Sequence, residues 1–344
     1  MKPITIVGGG LSGLTLGIAL RRRDIPVTIL EAGSYPRHRV CGEFLSGSGQ
    51  DSLARLGLLE CLSRTAPKLA HTAAFFTAQL SSPVKTLPRP ALCISRFAMD
   101  EALAHEFVRV GGTLRDHERW PTDRWGEGIV RATGRRVRAQ EAGWRWVGLK
   151  AHVRGVALEA DLEMHLTFNG YVGLCRLAGD RVNICGLFRS RSALPEAPHL
   201  LPEFLGGVAH SPLRRRLAEA KFDSESFCAT AGLSLQPRTP DPGDGFCIGD
   251  AITMTPPITG NGMSMALESS ELAQDPLTLY STGSLSWESA TRQLADTIAT
   301  RFASRLTWAS ILHKGLMMRW PTGAMVWAVP RWDFLWRILF EQTR

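Results

Sequence analysis

The chain has 344 residues, of which 44% are hydrophobic and 21% are charged, and this composition excludes a mostly disordered protein. Because domains usually contain about 100–200 residues, we expect two of them. The 40 Lys and Arg residues against 32 Asp and Glu give a net charge of +8, but the basic residues are scattered, which argues against a nucleic-acid partner.

The first predicted elements are a strand, a glycine-rich turn, a helix and a second strand. Residues 4–7 are apolar and mostly β-branched, as in a buried parallel strand. The motif G-x-G-x-x-G occupies residues 8–13, and an apolar stripe at helical spacing follows it directly. A second apolar strand at residues 26–30 ends at Glu31. This order is typical of a Rossmann-type dinucleotide-binding unit.

Each glycine of the motif has a separate physical task. Gly8 permits the tight turn, Gly10 lets a pyrophosphate approach the backbone, and Gly13 lets the helix pack on the strand. The unpaired N–H groups at the start of the helix, where Ser12 lies, attract the phosphates. Glu31 is expected to accept hydrogen bonds from the adenosine ribose. At this point NAD and FAD explain the pattern equally well.

A second motif follows the second strand, at residues 36–46. It closely resembles the corresponding segment of FAD-dependent oxidoreductases of the geranylgeranyl reductase-like group. The resemblance implies that a basic residue lies near the FAD phosphates, with Arg39 favoured over Arg37 by its spacing to Cys41, and that a Cys-Gly-Glu turn runs beside the flavin. The cofactor-binding residues implied here are Arg37, Arg39, Cys41, Gly42 and Glu43. The alternative is an ordinary Arg-rich surface loop.

The third motif combines Gly249-Asp250 with a Pro-Pro and Gly-x-Gly loop before a helix. It is similar to the Gly-Asp motif that closes the FAD site in the same families. The resemblance implies that Asp250 bonds the ribityl hydroxyls and that the helix amino terminus faces the flavin N1–C2=O edge. The residues implied are Gly249, Asp250, Pro257, Gly260, Asn261, Gly262 and Met263. A Pro/Gly loop that merely enters a helix is the alternative.

Two further positions, Arg96 and Thr133, bear on the cofactor and on the electron donor. Arg96 starts an Arg-x-x-x-Asp segment before an amphipathic helix, and the family places its Arg near the flavin; an ion pair with Asp100 explains the pattern equally well. Thr133 stands where aromatic hydroxylases usually carry the Asp of an Ala-Asp-Gly element tied to FAD and NADPH binding. This departure weakens the case for direct NADPH use, so the electron donor is either NAD(P)H or a separate reductase.

The middle of the chain predicts an inserted sheet. Residues 162–168 alternate apolar and polar, and Asn169-Gly170 is a strong hairpin turn before strands at 171–177 and 181–187. In the resembling flavoproteins such a sheet covers the flavin and forms a wall of the substrate site. Its apolar face is more often plain core than pocket wall, and we nominate no catalytic residue from it.

The C-terminal stretch is rich in tryptophan, since six of the ten tryptophans follow position 280. Trp332, Leu335, Trp336, Leu339 and Phe340 fall on one helical face. Packing across the domains is favoured, and a peripheral membrane contact is the alternative.

Several features bear on the compartment. The seven cysteines form no C-x-x-C pair, which favours a reducing environment over a disulfide framework or zinc site. No apolar run reaches the ~18 residues of a membrane span, and glycines interrupt the apolar start, so we expect no signal peptide. The predicted location is cytoplasmic, with membrane association through the C-terminus as the variant.

The motifs, in their order, resemble the geranylgeranyl reductase-like family over most of the chain, a family related to the para-hydroxybenzoate hydroxylase fold. The expected architecture is α/β, with a Rossmann-type FAD-binding domain, an inserted mainly antiparallel β-sheet substrate domain and a helical C-terminus. The predicted boundaries are 1–68, 92–140 and 228–284 for the FAD-binding domain, 69–91 and 141–227 for the substrate domain, and 285–344 for the C-terminal segment.

Fold alone does not choose the reaction. The first hypothesis is a monooxygenase that hydroxylates an apolar aromatic or polyketide-like metabolite with reduced FAD and oxygen. The second is a reductase or dehydrogenase acting on an isoprenoid or similar lipid, with Cys41 as its catalytic candidate or else a small buried filler. A halogenase is third, because residues 144–146 resemble that family's Trp-x-Trp signature, with Lys68 or Lys85 as its lysine. A flavin-binding module without turnover is fourth. The expected partners are an apolar small molecule and a flavin reductase or redox carrier.

Overall fold

The computed structural model describes residues 1–121, 124–138, 140, 143–167, 169–191, 204–317, 334, 336, 337 and 340. Its strands are β1 (Ile4–Val7), β2 (Val27–Leu30), β3 (Phe44–Leu45), β4 (Lys68–Phe76), β5 (Lys85–Cys93), β6 (Thr113–Arg115), β7 (Ile129–Arg131), β8 (Arg145–Arg154), β9 (Leu162–Thr167), β10 (Gly170–Arg176), β11 (Val182–Ser190) and β12 (Lys221–Ala231). Its α-helices are α1 (Leu11–Arg21), α2 (Gly47–Arg55), α3 (Leu59–Ser63), α4 (Arg96–Arg109), α5 (Pro212–Arg216), α6 (Gly262–Ser281) and α7 (Trp287–Leu316).

The smaller sheet is parallel and has the strand order β6-β2-β1-β7. Its central strand β1 is apolar because helices cover both faces of such a sheet. Cys247 forms a parallel bridge with Arg131 of β7, which brings the following residues to the same edge. The turns after β1, after β2 and after Cys247 therefore meet at the carboxyl ends of the strands, where open α/β sheets bind ligands.

Helix α1 packs tightly on this sheet because glycine stands at its contact point. A Cβ atom on Gly17 would lie 2.7 Å from the Ile29 side chain and 2.9 Å from the Phe107 ring. Helices α1, α4 and α6 contribute to the same hydrophobic core as β1 and β2. The core thus fixes the amino termini of α1 and α6 relative to the sheet edge.

The larger sheet has eight strands in the order β12-β8-β11-β10-β9-β4-β5-β3. Its pairings are antiparallel apart from β4 with β9, and the predicted Asn169-Gly170 turn joins β9 to β10. Because strand side chains alternate, Lys150 and His152 of β8 lie on one face, whereas Leu149 and Ala151 lie on the other. Helix α5 packs against that second face through Leu213.

The predicted fold class is confirmed: a parallel α/β unit is joined to a mainly antiparallel sheet and to a C-terminal helix of 30 residues. The strand predicted at residues 162–168 is found as β9, while residue 168 lies outside the described part of the chain. The sequence did not reveal β8 and β12, which complete the larger sheet. The domain boundaries remain a prediction.

Most of the predicted tryptophan-rich helical face lies outside the described residues, including Trp332, Leu335 and Leu339. Trp336 and Phe340 are described, and both are buried in a cluster with side chains of β4 and β5. The Trp336 indole N–H donates to the Thr86 carbonyl at 3.1 Å. Those two residues pack against protein. Among the helices that the structure describes, none combines the length and the apolarity needed to cross a membrane.

A buried ion pair joins α6 to α7. The Arg305 guanidinium donates to both carboxylate oxygens of Glu268, at 2.6 and 2.5 Å, and the two residues are 8% and 5% exposed. Removing one partner of such a pair strands a buried charge. We expect Glu268→Gln to lower the free energy of unfolding by about 3 kcal/mol, measured by urea denaturation.

Two further variants test this expectation. The double variant Glu268→Leu/Arg305→Met removes both charges and should lose less stability than the single variant. The exposed pair formed by Glu288 and Arg292, 2.7 Å apart on α7, is the control. Arg292→Met should cost less than about 0.5 kcal/mol. Equal losses for Glu268→Gln and Arg292→Met would contradict the assignment of α7 as a firmly docked helix.

Candidate functional site

The glycine-rich turn has the shape that a dinucleotide requires. Gly8 has φ +109°, and a Cβ there would collide with the Ala132 carbonyl of the neighbouring strand. A Cβ on Gly13 would overlap the Gly8 carbonyl, so α1 can approach β1 only with glycine at this position. No atom lies within 4 Å of a Cβ placed on Gly10. The turn is therefore tightly packed on its protein side and open at the amino terminus of α1.

Glu31 lies at the end of β2, beside this turn. Its carboxylate accepts hydrogen bonds from the N–H groups of Gly9 and Gly33, both at 2.9 Å. Arg37 lies 2.6 Å from one carboxylate oxygen, and Arg39 lies 3.7 Å from the other. Burial raises the pKa of Glu31, but the Gly33 N–H and the two arginines outweigh it, so the net pKa is lowered. Glu31 is thus a fixed carboxylate that already holds the loop.

Arg96 forms the centre of a charged network. Its guanidinium donates to both oxygens of the Asp100 carboxylate at 2.8 and 2.9 Å, and Arg39 donates to the same carboxylate at 2.9 Å. The Arg96 guanidinium also lies close to the Cys41 side chain. Burial lowers the pKa of Arg96, but the Asp100 carboxylate raises it and the net pKa is raised, so the group is charged. The expected ion pair is present, and the charge of the same guanidinium lowers the pKa of Asp250.

Asp250 is a carboxylate that the described residues leave without a hydrogen bond. It is half-buried by surface area, yet the surrounding protein raises its pKa to about 6, against the opposing charges of Arg96 and Arg135. A carboxylate that is held without partners beside two arginines is poised to accept hydrogen bonds from hydroxyl groups of a ligand.

The loop before α6 is open in the same way. Gly260 has φ +68°, and a Cβ there would overlap the Phe44 ring. The side-chain nitrogen of Asn261 is buried and has no hydrogen-bond partner among the described residues. No atom lies within 4 Å of a Cβ on Gly262, the first residue of α6. A helix amino terminus with an open face and an unpaired buried amide can receive an electronegative edge of a ligand.

The Cys41–Glu43 turn carries a buried carboxylate that the sequence assigned to the cofactor. Glu43 has φ +57° and is fully buried. It accepts hydrogen bonds from the Arg96 N–H at 2.9 Å and from the His152 ring at 2.7 Å. Burial raises the pKa of Glu43, but His152 and Lys150 lower it by more. The net pKa is therefore lowered, and the group is ionised. Burial also raises the pKa of Cys41, against Arg96, and keeps it a thiol at neutral pH.

Sequence reasoning missed three side chains of this turn's surroundings: His38, Lys150 and His152. Lys150 and His152 occupy alternate positions of β8, and the other residues between its terminal arginines are apolar, aromatic or glycine. This polar pair in an otherwise apolar strand was the signal that could have revealed the cluster. The ligand atoms of His38, Glu43 and His152 lie within 4.8 Å of one another, a spacing that suits a metal ion. The Lys150 ammonium, 2.8 Å from the His38 ring and 3.5 Å from Glu43, supplies the cation instead.

An apolar wall adjoins the Pro-Pro loop. It is formed by side chains of β8 to β11 together with Ile258 and the end of α7, and its buried members are Trp146, Leu166, Tyr171, Leu187, Leu233, Leu235 and Ile258. Met164, Met254, Leu316 and Met317 pack against it. The wall lies on the same sheet face as Lys150 and His152. Apolar surface and a polar cluster thus meet on one face.

The remaining nominated residues also lie near the sheet edge. Ser12 is buried in the first turn of α1, and a Cβ on Gly249 would lie 2.6 Å from its hydroxyl oxygen. Thr133 is exposed beside Gly8. Pro257 starts a short 3-10 turn, and Met263 is buried in α6. The nominated set converges, but which of its members touch a cofactor stays a prediction.

The structure fits FAD. The open faces at Gly10 and Gly262, the unpartnered Asp250 carboxylate and the unpaired Asn261 amide lie along one edge of the parallel sheet. Their order matches a pyrophosphate at α1, a ribityl chain at Asp250 and a flavin edge at α6.

Comparisons with known proteins support this assignment in part. Residues 6–43 match the family described as an NAD(P)-binding Rossmann-like domain. Among curated proteins, the chain is 26% identical over 126 residues to conditioned medium factor receptor 1 of Dictyostelium discoideum, covering 33% of this chain and 25% of that protein. It is 39% identical over 59 residues to squalene epoxidase of Aspergillus fumigatus, covering 17% and 12%. These matches thus span a quarter or less of the relatives' own length.

Solved structures match nearly the whole chain. A flavin-dependent brominase, Bmp2, has a TM-score of 0.72 at 15% identity and covers 99% of this chain and 92% of its own. PqsL of Pseudomonas aeruginosa, a probable FAD-dependent monooxygenase, has 0.68 at 15%, with 94% and 98% covered. A variant of the halogenase PltM in complex with FAD has 0.74 at 14%, with 98% and 82% covered. The chain has the fold of flavin-dependent monooxygenases and halogenases, and the narrower geranylgeranyl reductase-like resemblance stays a prediction.

Asp250 yields a prediction in which stability and binding change in opposite directions. Its folded-state pKa of about 6 exceeds the usual 3.8, so the folded protein loses stability as pH rises from about 4 through 6. Asp250→Asn removes this cost and should raise the free energy of unfolding of the cofactor-free protein by about 2 kcal/mol at pH 7. The same change should weaken FAD binding about tenfold, because a charge-assisted acceptor is lost.

Urea denaturation of the cofactor-free protein at pH 4 and pH 7, together with FAD titration followed by fluorescence, measures both effects. Asp296→Asn, on the exposed face of α7, is the control and should change neither quantity. An Asp250→Asn protein that is less stable, or that binds FAD as well as the unchanged chain, would refute the role of Asp250.

Proposed function

We propose that the protein is an FAD-dependent oxidoreductase and that its reaction is the hydroxylation of an apolar aromatic or polyketide-like metabolite. The observation that carries this proposal is the Asp250 carboxylate at the carboxyl edge of the parallel sheet, which accepts no hydrogen bond from the described residues and whose pKa the charges of Arg96 and Arg135 lower against the effect of burial. A carboxylate whose ionised form is disfavoured by its surroundings, and which accepts no hydrogen bond from the described residues, is suited to accept hydrogen bonds from a ligand's hydroxyl groups.

Different residues of the site would bind different parts of FAD. The open turn at Gly10 and the amino terminus of α1 would hold the diphosphate, and Glu31 would meet the adenosine ribose with its remaining lone pairs. Asp250 would accept from the ribityl hydroxyls, and the amino terminus of α6 at Gly262 would stabilise negative charge on the ring edge. When bound and reduced, FAD supplies the electrons that activate oxygen.

The rest of the work falls to the apolar wall. It would orient an apolar ring against the Pro-Pro loop and exclude water from the reacting atoms. Hydroxylation through reduced flavin needs the protein mainly to bind and position, so the proposal does not require a nucleophile in the wall. The sequence match to a squalene epoxidase and the structural match to the probable monooxygenase PqsL support an oxygen-inserting reaction.

Two other reactions compete with this proposal. A reductase of isoprenoid double bonds needs a proton donor, and the protonated Cys41 thiol beside Arg96 is a candidate. A halogenase is supported by the structural likeness to the brominase and by Trp146 of the Trp-x-Trp segment, which lies in the wall. Of its two candidate lysines, Lys68 and Lys85, Lys68 is exposed and its ammonium lies 3.5 Å from the Gly179 carbonyl.

The partners form part of the proposal. NAD(P)H, or a separate flavin reductase or redox carrier, would deliver electrons, and Thr133, in the place of the Asp that aromatic hydroxylases usually carry, favours the separate donor. The substrate is an apolar small molecule in the cytoplasm or at a membrane surface, and no nucleic acid takes part.

The reaction is tested with 2-naphthol as an aromatic probe. FAD-loaded protein is reduced by light without oxygen, with EDTA as the electron donor, and is then mixed with ¹⁸O₂ in the presence of bromide; its products are read by mass spectrometry. One ¹⁸O atom in the probe is the expected result. Bromine in the probe would establish the halogenase, and failure to bind FAD would overturn the whole assignment.

The wall is tested with two matched leucines of the larger sheet. Leu187 lies in the apolar wall, whereas Leu174 is equally buried on the opposite face. Each Leu→Ala change should cost about 2–5 kcal/mol of stability. Leu187→Ala alone should weaken binding of 2-naphthol, by about tenfold in a flavin absorbance titration. The same effect from Leu174→Ala would show that the wall is plain core.

A further inference from the structure

The proposed function gives the cluster of His38, Glu43, Lys150 and His152 no role in holding the cofactor, although the sequence nominated Glu43 for one. Lys150 and Glu43 are fully buried, and His152 is 1% exposed, whereas His38 is half-buried. A lysine is almost never fully buried unless its charge is balanced, and here Glu43 balances it at 3.5 Å. The cluster connects to the cofactor site through the Arg96 N–H, which donates to Glu43 at 2.9 Å.

The hydrogen bonds fix where the protons are. An ammonium group donates and has no lone pair, so Lys150 must donate to His38 Nδ1 across their 2.8 Å contact. His38 therefore carries its own proton on Nε2. The Glu43 carboxylate only accepts, so His152 Nε2 donates to it at 2.7 Å. A mobile proton thus stands on each side of the His38 ring: one on Nε2 and one on the lysine.

Other charged groups around this ring agree with a neutral imidazole. Burial lowers the pKa of His38, Lys150 and His152 add to this effect, and Glu43 and Asp223 of β12 oppose it, with a net pKa of about 4. The thiols of Cys185 on β11 and Cys228 on β12 face Lys150 as well. The ring is held in place by stacking on Phe97 at 4.5 Å between centroids and by the edge of His152 at 5.0 Å.

We propose that Lys150 is a buried proton store and that His38 transfers its proton to the flavin site, with Glu43 and His152 as positioning residues. His38 gives its Nε2 proton to an acceptor in the site, and Lys150 refills the ring at Nδ1. A proton from solvent then returns to Nε2, and Nδ1 passes its proton back to the lysine. The proposal rests on the proposed function, because it assigns the acceptor to the flavin reaction.

The simplest reaction that uses this proton needs no substrate. Converting O₂ to hydrogen peroxide takes two electrons and two protons. Bound FAD in its reduced, anionic form would supply both electrons and one proton, and would thereby be oxidised. The second proton is the one assigned to His38. Reoxidation of the reduced flavin by O₂ therefore measures the transfer directly.

Two readouts test the pair. In the cofactor-free protein, ¹⁵N NMR of the imidazole should show His38 protonated on Nε2 alone, and Lys150→Met should mix the tautomers. In the FAD-loaded protein, Lys150→Met and His38→Gln should slow reoxidation by about tenfold or more and abolish its solvent deuterium isotope effect, with FAD content unchanged. Lys221→Met, an exposed lysine of β12, is the control and should change neither readout.

The outcomes separate the two claims. Since Lys150→Met leaves Glu43 uncompensated, the double variant Lys150→Met/Glu43→Gln restores neutrality and should reproduce the slow reoxidation in a well-folded protein. Full FAD content with an unchanged rate, or a His38 proton on Nδ1 in the unchanged protein, would overturn the proton pair alone. Absence of FAD binding by the unchanged protein would overturn the proposed function and this transfer with it.

Discussion

The ion pair between Arg96 and Asp100 is the interaction on which both halves of the site depend. The Asp100 carboxylate holds Arg96 and Arg39 together, and the Arg96 guanidinium in turn lies close to Cys41 and lowers the pKa of Asp250 through its charge. The Arg96 backbone N–H also fixes Glu43. One buried guanidinium therefore links the carboxyl edge of the parallel sheet to the polar face of the larger sheet. Any change in the position of this guanidinium would affect the proposed cofactor site and the cluster of His38, Glu43, Lys150 and His152 together.

Charge balance explains why the two halves behave differently. Glu43 is compensated by Lys150 and hydrogen-bonded on both oxygens, so it is ionised and fixed. Asp250 has arginines nearby but no hydrogen bond from the described residues, so its ionisation is costly. The protein thus completes one carboxylate itself and leaves the other for a ligand. Functional sites often retain such locally unfavourable groups, because ligand binding stabilises them.

Local motifs made much of the site predictable. The turn at residues 8–13, Glu31 and Gly249-Asp250 carry their geometry in short stretches of sequence, since only glycine permits the positive φ or close approach at Gly8, Gly13 and Gly260. The parallel unit and the β9–β10 hairpin follow from periodicity and turn chemistry.

The polar cluster could not be found in that way. His38 and Lys150 are 112 positions apart, and Glu43 and His152 are 109 apart. Their meeting depends on the register of β8 in the larger sheet, which no short motif encodes. The contacts of Arg37 with Glu31 and of Arg39 with Asp100 were likewise missed, because the sequence suggested a phosphate partner for one of these arginines, with Arg39 favoured, and the folded protein gives each a carboxylate.

The central claim is that the edge formed by Gly10, Asp250 and Gly262 holds the whole of FAD. The most direct test is an equilibrium titration of the purified protein with FAD, and separately with FMN, which lacks the adenosine and one phosphate. The account predicts one FAD per chain and FMN binding at least about 100-fold weaker, since the contacts at Gly10 and Glu31 are unused. Equal affinity for FMN and FAD, or no binding of either, would contradict it.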